Sequence, residues 1–194
     1  MPLWKKIAAT DARTAAARAN LSPAGAAALD PALDASSSID VLMKGGLLMD
    51  AVRLLAHALP KREAVWWACL CTRDMLPADA EPAIAAAVQA AEGWVIAPSE
   101  EKRREAMTRA EAAGFRAPAS WAAVAAFWSG GSMAPPNAPV VPPGDGLTGA
   151  AVAGAILLAA VQTEPEKAPE KYRRFLDCGI DIADGGNGRK RQQA

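Results

Sequence analysis

The chain has 194 residues, enough for one domain with a buried core, since ~150 residues already bury roughly two-thirds of the surface that the unfolded chain exposes. Lysine plus arginine equals aspartate plus glutamate at 21 each, so no net field gathers polyanions, which argues against nucleic acid as a ligand. A single histidine, His57, argues against multi-histidine metal sites, and three cysteines cannot all pair within one chain.

Alanine supplies about a quarter of the residues and is the best helix former, so the sequence predicts an all-α protein. Residues 1–20 contain no unbroken apolar stretch of the ~7–15 residues that a secretory signal needs, which points to the cytoplasm. Residues 1–45 read as a poorly ordered or short-helical lead-in, interrupted by Pro23, Pro31 and the run Ser36, Ser37, Ser38. Ser22 before Pro23 forms a helix-start signal, because serine satisfies free amides and proline fits the first turn.

From Gly46 to residue 186 the pattern is that of one helical domain. Leu47, Leu48, Val52, Leu55 and Leu59 recur at helical spacing, with Asp50 and Arg53 on the opposite, wet side. Pro60 ends that helix and opens the next, giving a hairpin whose second arm is KREAVWWACLCTRDM, closed by Pro77. On that arm Val65, Trp66, Cys69 and Leu70 are assigned to the core, and Lys61, Arg62, Arg73 and Asp74 to solvent. Cys69 and Cys71 lie roughly 200° apart on a helix, which does not suit a shared metal or a mutual disulfide. They read as small packing residues.

A third helix starts near Asp79. The next runs from the cap Ser99 to the stop Gly114, and its charges Lys102, Arg103, Arg104, Glu105 and Arg109 read as a solvated face. PASWAAVAAFW, residues 118–128, forms another helix ending at Ser129-Gly130-Gly131. Residues 133–146, MAPPNAPVVPPGDG, cannot continue it, and form an extended connector or binding strap containing Pro135 and Pro136. Thr148 is the expected cap of an alanine-rich helix in which Ala150, Gly154 and Leu158 make a small-residue stripe. That helix is too short for the ~20 residues of a membrane span. A last helix offers Tyr172, Phe175, Leu176 and Ile180, followed by a flexible tail at 187–194. Six or seven helices result, in an irregular bundle or a solenoid-like stack.

No catalytic constellation is legible. There is no G-x-S-x-G elbow, and Gly130-Gly131 and Gly144-Asp145-Gly146 lack the phosphate-loop pattern. No cofactor and no metal site is expected. The residues that stand out are six tryptophans against three phenylalanines and one tyrosine. Adjacent Trp66 and Trp67 point about 100° apart, so both cannot occupy one core stripe, and Trp67 is assigned as the interface anchor. The interaction set is Arg62, Trp66, Trp67 and Trp128, with the strap residues Pro135 and Pro136.

HALPKREAVWWACLCTRDML, AEGWV with PSEEKRREAMTRAEAAGFRAPASWAAVAAFWSGGSMAPP, and YRRFLDCGIDIADGG resemble a bacterial family of unknown function. Members of that family occur in gene neighbourhoods encoding type VI secretion spike and effector components. The resemblance spans residues 40–186 and carries no active-site residue over. It implies a non-catalytic cytoplasmic adaptor or chaperone whose partner is an effector, spike or loading protein. An immunity protein neutralising a neighbouring toxin is the alternative, and a small enzyme using His57 with Arg53 or Glu63 is a third.

Overall fold

The computed structural model describes residues 4–7 and 11–189. The fold is all-α, with ten α-helices and no strand among the described residues, in place of the six or seven helices expected. The extra helices lie in the segment read as a lead-in. They are α1 (Asp11–Arg18), α2 (Pro23–Ala28) and α3 (Ala35–Lys44). Ser22 caps α2 by accepting from the Gly25 amide at 3.0 Å, and Asp34 caps α3 by accepting from Ser37 at 2.7 Å. Ile39 and Leu42 are fully buried, because α1 and α3 both pack on α4 (Leu48–Ala58). The short apolar patches before Gly45 thus complete a core supplied from further along the chain.

Pro60 turns the chain between α4 and α5 (Lys61–Met75), as the sequence predicts. Helix α6 (Pro82–Ile96) starts three residues after Asp79, because Pro82 holds the residue before it in extended backbone and then fits the first turn. Then follow α7 (Glu100–Ala112), α8 (Pro118–Phe127), α9 (Leu147–Val161), a 3-10 turn at Pro165–Lys167, and α10 (Ala168–Ala183). Ser99 caps α7 by accepting from Lys102, and Gly114 follows at φ +69, a backbone angle that glycine adopts without strain.

Helices α8 and α9 form the centre. Ala119, Ala122, Ala123, Ala125 and Ala126 of α8 are fully buried, and small side chains let the neighbouring backbones approach closely. On α9 the buried stripe is Ala151, Val152, Ala155, Ile156 and Ala159. The expected stripe of Ala150, Gly154 and Leu158 is displaced outward, and a Cβ at Gly154 would meet nothing within 4 Å. Alanine on nearly every face made the buried face ambiguous in sequence. Thr148 does not cap α9; Gly146 occupies the cap position, and the Thr148 hydroxyl donates to the Trp128 carbonyl at 2.8 Å.

Helix α9 also packs on α4, α5 and α10, and α10 packs on α4 and α5. These non-sequential contacts make a closed bundle, whereas units of a solenoid touch only their chain neighbours. No single described helix is long and apolar enough to cross a membrane.

Candidate protein-interaction site

Helix α5 buries Ala64, Val65, Trp67, Ala68, Cys69, Cys71 and Thr72, and leaves Trp66 and Leu70 half-buried on its flank. The two tryptophans therefore exchange the roles expected of them. Trp67 is completely buried, and its indole N–H donates to the Phe175 carbonyl at 2.7 Å. Gly179 of α10 makes the room, since a Cβ there would lie 2.7 Å from Trp67 Cε2. Trp67 is thus withdrawn as an interface anchor: a bulky ring with its only donor satisfied inside the core has no surface to offer.

Trp66 is the ring left on the flank of α5. Its indole N–H donates to the Asn187 carbonyl at 3.0 Å, and the Arg189 guanidinium sits 5.0 Å from its ring centroid. The Gly188 amide donates to Asp181 Oδ2 at 2.9 Å. Residues 187–189, expected to begin a flexible tail, are therefore bound across α5 and α10; residues 190–194 of that expected tail lie outside the described residues.

Arg62 is exposed but not idle. Its Nε donates to the Val95 carbonyl at 2.6 Å and Nη2 donates to Ile96 at 3.4 Å, satisfying the carbonyls that end α6. At this end of α6 the Ile96 side chain is 72% exposed.

Trp128 belongs to a different surface. It is half-buried at the end of α8, with its ring edge-on to Trp121 at 6.5 Å, and Trp121 lies 6.5 Å from Phe115. The row of three aromatics follows the outer side of α8.

Pro135 and Pro136 are exposed at the tip of a loop whose base is tied to α7. Met133 donates to Val141 at 2.8 Å, and the Ser132 hydroxyl accepts from the amides of Ala134 and Val141. Arg103, read from sequence as solvated, is 3% exposed. Its guanidinium donates to Glu100 at 2.7 Å, to the Phe127 carbonyl at 2.5 Å and to the Ser132 carbonyl at 2.8 Å, and lies over the Phe127 ring. Arg104 adds bonds to Glu100 and to the Ala134 carbonyl. These two guanidiniums hold the Glu100 carboxyl down to about 2. No helical period distinguishes such a clamp from a wet face, which is why it was missed.

Two further buried charges were missed for the same reason. Asp50 of α4 is 4% exposed and accepts from the Ser22 amide at 2.8 Å and from the Ser22 hydroxyl at 2.6 Å, joining α2 to the core. Lys171 donates to the carbonyls of Ala160, Thr163 and Glu164, closing the end of α9.

His57 lines a cleft of about 350 Å³ with Lys6, Arg18, Lys61, Asp145 and Gly149. Burial, and secondarily the Arg18 charge, lower its pKa below the ordinary histidine value. Arg53 and Glu63, the residues paired with it in the enzyme reading, do not line this cleft; Arg53 pairs with Asp50 at 3.3 Å and Glu63 with Lys6 at 3.8 Å. Cys69 and Cys71 are buried, and burial raises both thiols, so neither is a ready nucleophile. Among the described residues, no three His, Cys, Asp or Glu side chains are grouped so as to hold a metal ion.

This geometry defines a closed helical bundle whose distinctive surface lies along α5 and α10, with a separate aromatic row on α8. The chain belongs to the family of unknown function DUF6931, whose pattern matches residues 38–183. Among curated proteins and among solved structures nothing matches it. The surface residues Arg62, Trp66 and Asp181 fall inside the matched span, and Asn187, Gly188 and Arg189 fall beyond it.

Proposed function

We propose that the protein is a non-catalytic, cytoplasmic protein-binding accessory, an adaptor or chaperone that engages its partner through the α5–α10 surface centred on Trp66. The observation that carries this is the state of Trp66. It is a half-buried tryptophan whose indole donor and ring face are both met by the turn at residues 187–189, and tryptophan is enriched among the residues that anchor protein contacts. The partner class, a type VI secretion effector, spike or loading protein, is taken from the resemblance of residues 40–186 to proteins of such gene neighbourhoods.

Affinity copurification from a bacterium that carries the protein and its secretion system tests the proposal. The intact chain is expected to enrich a spike, effector or loading protein, and Trp66→Ala to lose it, while Trp128→Ala retains it. Enrichment of a toxin together with protection of cells expressing that toxin would instead make the protein an immunity factor. Equal capture by the intact chain and Trp66→Ala would remove the α5–α10 surface from the interaction.

A further inference from the structure

The contacts of residues 187–189 specify a ligand. The indole of Trp66 takes a backbone carbonyl, and Asp181 accepts the amide of the next residue, 2.9 Å away. That next residue must be glycine. Gly188 has φ +76, and a Cβ there would lie 2.6 Å from Leu70 Cδ1, 2.9 Å from Cys178 Sγ and 3.1 Å from Ile182 Cδ1. The residue after it lays a cation over the Trp66 ring at 5.0 Å. A carbonyl, a glycine amide and a cation in three successive residues are read by four side chains of α5 and α10 and by one carboxylate. The chain is held over the groove by few other bonds: Gly186 donates to the Asp181 carbonyl at 2.8 Å, and the Arg189 amide donates to Asn187 Oδ1 at 3.0 Å.

We infer that the groove between α5 and α10 is a peptide-docking site for a tight turn in which a glycine at positive φ precedes an arginine or lysine. The chain's own Asn187-Gly188-Arg189 occupies it as an intramolecular latch, and a partner protein's segment of the same chemistry replaces the latch. This rests on the reading of Trp66 as the anchor of a protein contact and supplies what that contact recognises. An intramolecular ligand competes at a high effective concentration, so the latch sets a threshold that only a tighter or multiply attached partner passes.

The test uses the full-length chain and a fluorescent peptide of residues 184–194. In Gly188→Val the side chain cannot enter the groove, and the latch is displaced. The peptide is expected to bind Gly188→Val at least ten-fold more tightly than the unaltered chain, and to lose that gain when Trp66→Ala or Asp181→Asn is added. A peptide carrying valine at the position of Gly188 should not bind. Cys178, beneath Gly188, should be alkylated several-fold faster in Gly188→Val. Arg189→Ala, altered only at an exposed residue, gives a smaller rise in both measurements and serves should Gly188→Val fold poorly. Equal, weak peptide binding by the intact chain, Gly188→Val and Arg189→Ala, with unchanged Cys178 alkylation, overturns the docking site. If the peptide behaves as stated but Gly188→Val captures no secretion component, the groove stands and the secretion partner falls. If a secretion component is captured equally by all three chains and the peptide binds none, the latch falls and the adaptor stands.

Discussion

Trp67 donates its indole N–H to the carbonyl of Phe175 at 2.7 Å, across 108 residues of sequence, and so fixes α5 against α10 from inside the core. Truncating a fully buried aromatic removes its transfer free energy and leaves a cavity, at ~3–5 kcal/mol. Trp67→Ala is therefore expected to lower the unfolding free energy by about that amount in urea titrations. Trp66→Ala, on the flank of the same helix, should cost about 1 kcal/mol, near the middle of the range for single substitutions. Equal losses would contradict the assignment of one ring to the core and the other to the surface.

A second prediction concerns Asp50. Its carboxylate is 4% exposed and accepts two bonds from Ser22, and a Cβ at Gly25 would lie 2.6 Å from its Cγ. Hydrogen bonds to a charged group contribute ~1.5–3 kcal/mol, so Asp50→Ala should destabilise the protein by about 2 kcal/mol. Amide exchange should rise most in α2, whose cap Ser22 is oriented by Asp50. Exchange that rises uniformly along the chain, with no excess at residues 23–28, would refute the local tether.

The all-α class was legible because alanine content, proline breaks and caps agree along the chain: Ser22, Ser99, Pro60 and Gly114 all act where the sequence places them. Periodicity failed where both faces of a helix are made of small residues, as on α9, or where two large residues are adjacent, as at Trp66 and Trp67. In each case the buried face is chosen by the partner helix; Gly179, more than a hundred residues away, decides which tryptophan goes in. The buried charges Asp50, Arg103 and Lys171 were illegible for a related reason. Each reaches backbone groups distant in sequence, the Ser22 amide for Asp50, the Phe127 and Ser132 carbonyls for Arg103 and the Ala160 and Thr163 carbonyls for Lys171, and such partners carry no sequence signature. The docked residues 187–189 resemble any polar glycine-rich tail until Trp66 and Asp181 are placed beside them.

The third prediction is an acid response of the proline-rich loop. Glu100 is held down to about 2, first by its bond to Arg103 and then by Arg104. A depressed carboxylate contributes stability that is complete above its unfolded value of 4.5 and is lost as pH falls towards 2. Protection of the Met133 and Val141 amides, measured against the intrinsic exchange rate at each pH, should therefore fall below pH 4.5. Glu100→Gln should show the loosened loop at neutral pH and lose the acid step. An acid step of unchanged size in Glu100→Gln would assign it to another carboxylate.

The fourth prediction uses the uniqueness of His57. Burial in the cleft is the larger cause of its lowered pKa, and the charge of Arg18 the second. As the folded value lies below the unfolded 6.5, the unfolded chain binds the proton more readily at intermediate pH. The stability contributed by neutral His57 is thus complete above pH 6.5, declines as pH falls through the interval between the two values, and levels off below the folded one. With one imidazole in the chain, its ring-proton resonance reports this without assignment. Arg18→Ala should raise the midpoint by removing a like charge, yet leave it below 6.5, because burial against Gly149 persists: a Cβ there would lie 2.5 Å from the ring Nδ1. A midpoint unmoved by Arg18→Ala would leave burial as the sole cause. A midpoint at or above 6.5 in the intact chain would show that the ring is not enclosed as described, and with it that α9 does not start against α4 at Gly149.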